Sequence, residues 1–164
     1  MSSFPALRTW PAPVPVALTA LGVALVAAFL LAPAALLRGA FGAYADPVAL
    51  ERAVGQALTT YVQSGQDDYP ATLAHLQDYW FFWHLIKMVI CVLLVSTLVA
   101  LSAVLWSRSV SAGRGGAVIA AIGAVTASSF AFGATVVLLA NTQSTAAPMI
   151  ALLQVLPGSS TEAE

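Results

Sequence analysis

Three stretches of this chain carry no charge over a length that crosses a bilayer, and that limits most of what it can fold into. Residues 14–37, 88–106 and 117–140 contain no Asp, Glu, Lys or Arg, and the apolar character of the second begins earlier, at Tyr79. A hydrocarbon core is about 30 Å thick, and a helix rising about 1.5 Å per residue crosses it in roughly 20 residues. Soluble domains have about a quarter of their residues charged; here 8% are charged and 60% are hydrophobic. A surface built from this composition belongs in lipid.

The spacing of these stretches predicts an all-α integral membrane protein with three transmembrane helices, at about 14–37, 80–106 and 117–140, in a single domain of 164 residues. All seven carboxylates fall outside the apolar stretches, in the loop 38–79 (Asp46, Glu51, Asp67, Asp68, Asp78) or in the tail 141–164 (Glu162, Glu164). With three spans, the loop and the tail share one side. The N-terminus and the connector between the second and third spans share the other. That second side carries Arg8, Arg108 and Arg114 against Arg38 and Arg52 on the acidic side. The Lys and Arg bias places the N-terminus in the cytoplasm and the loop and tail outside, in a plasma membrane. Aromatic residues suited to the headgroup level mark the span edges: Trp10 and Trp106 inside, Phe41, Tyr44 and residues 79–83 outside. Richness in Ala, Leu, Val and Gly fits a GC-rich bacterial gene. Ala43-Tyr44-Ala45 has the small-x-small form of a signal-peptidase site, but the apolar run before it is about twice the 7–15 residues of an h-region, so the first helix is expected to be retained.

The loop has order of its own. Asp46-Pro47 offers an N-cap followed by proline at the first helical position, and Gly65 a stop. Between them Leu50, Val54, Leu58, Tyr61 and Val62 recur at helical spacing while Glu51, Arg52, Gln56 and Gln63 point elsewhere. An extracytoplasmic amphipathic helix over about 47–63 is expected, its apolar stripe resting on the membrane face, on the spans or on a partner. Residues 66–69 form a turn and Pro70 opens the next helix, with no breaker from 71 to 106. Pro33 is expected to kink or loosen the end of the first helix. Residues 108–116 read as a short turn, and the third span ends at Asn141-Thr142. In the tail, 148–156 is too short to span and reads as an interfacial segment.

Polar residues within the second span form the main candidate site. At 100° per residue, His84, Lys87, Cys91 and Ser102 share a sector of about 60°, with Met88 at its edge. Ionisable groups in hydrocarbon are costly unless they snorkel, pair or face water. Lys87 lies a turn below the aromatic belt, where its stem reaches the headgroups, and His84 serves equally as a packing histidine. A sharper reading takes His84, Met88 and Cys91 as nitrogen, thioether and thiol ligands for haem or copper. A bis-histidine haem needs a second imidazole, and His75 lies on the opposite side of the same helix, so a second copy would have to supply it. Another reading makes Lys87 and His84 the polar groups of a small transporter. Farther out, His75 and Asp78, with Asp67 and Asp68 nearby, form a patch that reads as solvated surface or a weak metal or proton-responsive site.

The third span reads as a packing helix. Gly116, Ala120, Gly123, Ala127 and Ala134 line one face, the pattern that lets helix backbones approach closely. Thr126, Ser128, Ser129 and Thr135 add hydroxyls for their own i−4 carbonyls or a neighbouring helix. No phosphate-binding glycine loop, nucleophile elbow, paired-histidine zinc motif or repeat occurs. No basic run suits nucleic acid, and the lone Cys91 forms no intramolecular disulfide. The chain therefore reads as a non-catalytic membrane subunit or scaffold. Its partners are the lipid bilayer and other membrane proteins, or a second copy of itself.

Overall fold

The computed structural model describes Pro11, residues 13–41, 47–65, Asp68, residues 70–148 and Ile150. The Ala43–Ala45 motif, the Asp46 cap, Trp10, Tyr44, Asp67, most of the turn at 66–69 and the segment from 149 onward, Ile150 excepted, lie outside the described residues. Four helices follow one another: α1 (Pro13–Phe41), α2 (Pro47–Ser64), α3 (Ala71–Ser111) and α4 (Arg114–Ala146), with no strand among the described residues. Helices α1, α3 and α4 are each long and apolar enough to cross a membrane.

The helix ends follow local chemistry. Prolines open three of the helical segments: Val14 donates to the Pro11 carbonyl, Pro47 is the first residue of α2, and Ala74 donates to the Pro70 carbonyl. At its C-terminus α2 stops on Gly65, whose φ of 59° lies in the left-handed region that closes helices without a Cβ penalty. Proline 33 lies inside α1 and the helix continues through it, with its ring fully buried.

Elsewhere the helices outrun what the sequence suggests. The expected turn at 108–116 shrinks to Ala112 and Gly113, because nothing before Gly113 breaks α3 and the first turn of α4 tolerates Gly115 and Gly116. Ala112 donates to the Arg108 carbonyl and Ala117 to the Gly113 carbonyl, closing each side of the link. Helix α4 also passes through Asn141 and Thr142 to Ala146. Asn141 is buried there, and Ser144 and Thr145 turn their hydroxyls onto the carbonyls of Ala140 and Asn141. Tertiary placement overrides the weak helix propensity of these residues.

Contacts sort the described residues into two compact units, one reaching to Phe29 and taking in Ile90–Leu138, the other holding Leu30–Val89 and the residues from Leu139 onward. The second unit has a core of bulky side chains. Leu37 from α1, Leu50, Val54 and Ala57 from α2, and Leu73, Leu76 and Tyr79 from α3 are all buried. On α2 these are the residues at i, i+4 and i+7, while Arg52, Gln56 and Gln63 are exposed. Phe41 closes one side of this core, with its ring 5.0 Å from His75, 5.8 Å from Tyr79 and 6.0 Å from Phe82. Tilted and edge-on contacts of this kind add to the burial of the rings themselves.

The unit of Ile90–Leu138 with the first half of α1 packs differently. Its buried positions are Ile90, Cys91, Thr97, Leu101 and Val104 on α3 against Ala124, Ala127 and Ala131 on α4. The alanine face lets the two backbones come close, and the Gly123 position shows how close: a Cβ there would stand 3.1 Å from Leu105 Cδ1.

Truncation should separate the buried core from the surface. Leu73→Ala removes a side chain with no exposure and is expected to destabilise the protein by about 2–5 kcal/mol, whereas a truncation at Val62, on the exposed side of α2, should stay within about 0.5 kcal/mol. Unfolding followed by helical signal in mild detergent measures both.

Candidate functional site

The candidate residues of α3 divide between the two units. His84, Lys87 and Met88 belong to the aromatic one, Cys91 and Ser102 to the alanine-rich one. In the aromatic unit, four-residue spacing stacks Trp80 with His84 and Trp83 with Lys87 along α3. The Trp80 and His84 rings lie 4.5 Å apart, and His84 Nδ1 is 2.9 Å from the Trp80 carbonyl oxygen. A carbonyl only accepts, so Nδ1 carries the proton, and in the neutral tautomer Nε2 is the acceptor. Lys87 Nζ stands 5.2 Å from the centre of the Trp83 ring, a cation–π arrangement. Trp83 in turn tilts against Tyr79 at 5.7 Å, so the ring under the ammonium is held by the buried core. The Trp80 indole N–H is buried with no hydrogen-bond partner among the described residues. A buried donor without an acceptor costs free energy, which makes this position the least satisfied in the unit.

Met88 meets α4: Thr142 donates its hydroxyl to Met88 Sδ at 3.6 Å. The thioether therefore contacts a hydroxyl, a weak bond. Among the described residues, no three His, Cys, Asp or Glu side chains cluster at metal-ligating range. His75 packs on Phe41, and His75, Asp78 and Asp68 are exposed.

In the other unit, Cys91 is 1% exposed and lines a cleft between α1, α3 and α4. Ser102 does something its place on the polar sector of α3 did not suggest: it donates to the Ala124 carbonyl at 3.0 Å and pairs with Ser128 Oγ at 2.8 Å. The polar sector of α3 thus ends as a helix-to-helix clasp. The signal for it lay in α4, where Ala124 and Ser128, four residues apart, face the hydroxyl together. Of the other hydroxyls on α4, Ser129 turns to the Val125 carbonyl and Thr135 to the Ala131 carbonyl, while Thr126 lines the cleft. Of the small residues singled out on α4, Ala127 is buried, Ala120 and Gly123 are half-buried and Gly116 is exposed. Arg108, at the foot of α3, donates to the Pro11 carbonyl at 2.9 Å and so ties the approach to α1 to the α3–α4 turn. Sequence reading assigned Arg108 to the orientation of the chain and did not foresee this contact.

No protein-family model, curated protein or solved structure matches this chain. The functional reading therefore rests on its own geometry.

The Ser102–Ser128 clasp has a measurable strength. A double-mutant cycle over Ser102→Ala and Ser128→Ala should give a coupling of roughly 0.6 kcal/mol, with an upper bound of about 1.7 kcal/mol. Stability toward denaturing detergent reads it out.

Proposed function

We propose that this chain is a multi-pass membrane subunit that packs against partner membrane proteins through its helices and outer loop. The observation that carries this reading is the surface of the three long helices. Only 11%, 22% and 17% of their most apolar windows are buried within the chain. Side chains such as Leu30, Leu31, Ile119, Ile122, Phe130 and Phe132 are left exposed. Such continuous apolar surface is far larger than monomeric proteins expose to water, so lipid or protein must cover it. In lipid, association comes from close packing and hydroxyl contacts, and α4 supplies small residues for that purpose.

In this reading the N-terminus and the Ala112–Gly113 link face the cytoplasm, as the arginine bias favours, and α2 lies on the outer side with the acidic residues. The role is that of a scaffold, with other subunits or a second copy seated on the exposed helix faces. Blue-native electrophoresis of membranes solubilised in mild detergents tests it. Migration well above the 16.9 kDa of the chain plus its detergent is expected; migration as a lone monomer in every mild detergent would overturn the subunit role.

One observation favours a second reading. His84 donates Nδ1–H to a backbone carbonyl and leaves Nε2 as the acceptor, the state in which ligating histidines are commonly held. A haem or copper ion bound through Nε2, in a redox role, is consistent with that orientation. The purified protein would then show Soret absorption or stoichiometric copper, both lost in His84→Ala. A colourless, metal-free preparation that retains its assembly removes the redox reading.

A further inference from the structure

The cleft that Cys91 lines is long and apolar, and a second cavity with serines and an arginine in its lining shares two of its residues. Its wall on α3 runs from Cys91 through Leu98 to Leu105, and α1 and α4 close the sides over about 730 Å³. A second cavity of about 580 Å³ begins at the same Leu105 and Gly123 and continues to Ser107, Arg108 and Ser111 at the foot of α3. On α3 the lining residues 91, 94, 98, 101, 105, 108 and 112 keep helical register, so the two cavities follow one face. Helix rise gives the apolar part a length of about 21 Å, parallel to the axes of the helices that form it.

Charge along this path is one-sided. Residues 1–29 and 90–138 contain Arg8, Arg108 and Arg114 and no Asp or Glu. The apolar part has hydroxyl, thiol and glycine positions but no charge, and Arg108 lines the neighbouring cavity. A hydrocarbon-like cleft with a cation in the cavity next to it matches the two parts of an anionic lipid. We propose that the cleft between α1, α3 and α4 binds an anionic glycerophospholipid, its acyl chain along Cys91–Leu105 and its phosphate at Arg108. The guanidinium has five donors, one of which bonds the Pro11 carbonyl, and its planar fork matches the oxygens of a phosphate.

This inference rests on the membrane reading, and the test separates the two. The full chain is reconstituted in vesicles of phosphatidylcholine and phosphatidylglycerol, washed with alkaline carbonate, released in mild detergent and weighed by native mass spectrometry. Retention of one phosphatidylglycerol in preference to phosphatidylcholine is expected. Arg108→Gln should lower that preference about fivefold, the contribution of one cation to an anionic lipid. Gly133→Phe fills the cleft from a position where an added Cβ meets nothing within 4 Å, and it should lower retention of both lipids with the protein still helical and monodisperse. Equal retention of the two lipids, or retention unchanged in either variant, overturns the proposal while a carbonate-resistant chain keeps the membrane reading. A chain that washes off the vesicles overturns both.

Discussion

Peptide hydrogen bonds closed within each helix are the condition on which the rest of this architecture depends. Apolar side chains can stay uncovered along α1, α3 and α4 only where the backbone beneath them asks nothing of its surroundings. The hydroxyls of the same stretches obey the rule: Thr19, Ser96, Thr97, Ser129 and Thr135 each return a proton to the carbonyl four residues earlier. Polar atoms that would otherwise cost several kcal/mol in hydrocarbon are thereby neutralised locally. Most of what remains facing outward is carbon.

Inside that shell the chain uses two packing chemistries. The unit holding α2 relies on leucine and aromatic bulk, with the rings of Phe41, Tyr79 and Trp83 in mutual contact. The unit of the α3–α4 hairpin relies on smallness, with alanines at 124, 127 and 131 and a glycine at 123 bringing backbones near enough for a serine to reach a carbonyl on the next helix. The first is bulk packing, to which burial itself contributes. The second is suited to lipid, where contact and hydrogen bonding replace the hydrophobic drive. The acids follow the same division, all seven belonging to the unit with α2 or to the tail.

Much of this was legible beforehand. Charge-free length alone marked the three long helices, because nothing else in a sequence sustains it, and Pro47 with Gly65 bracketed α2 to within a residue. Boundaries away from such punctuation were not legible. Ser109, Val110, Asn141 and Thr142 have middling propensities, and only their neighbours in space decide that the helices continue. The candidate site was half visible. Periodicity placed His84, Lys87, Met88, Cys91 and Ser102 on one side of α3. It could not say that Lys87 rests on Trp83, or that Ser102 belongs to a clasp, because those depend on which face of another element arrives opposite.

The link between α3 and α4 carries a consequence of its own. Two residues, Ala112 and Gly113, join the pair, a tether too short to absorb a slide of one helical turn, about 5.4 Å. Nine residues before Ser111 on α3 and fourteen past Arg114 on α4, the Ser102–Ser128 pair encodes the same alignment a second time. Register between the arms is thus written twice, once covalently and once by hydroxyls.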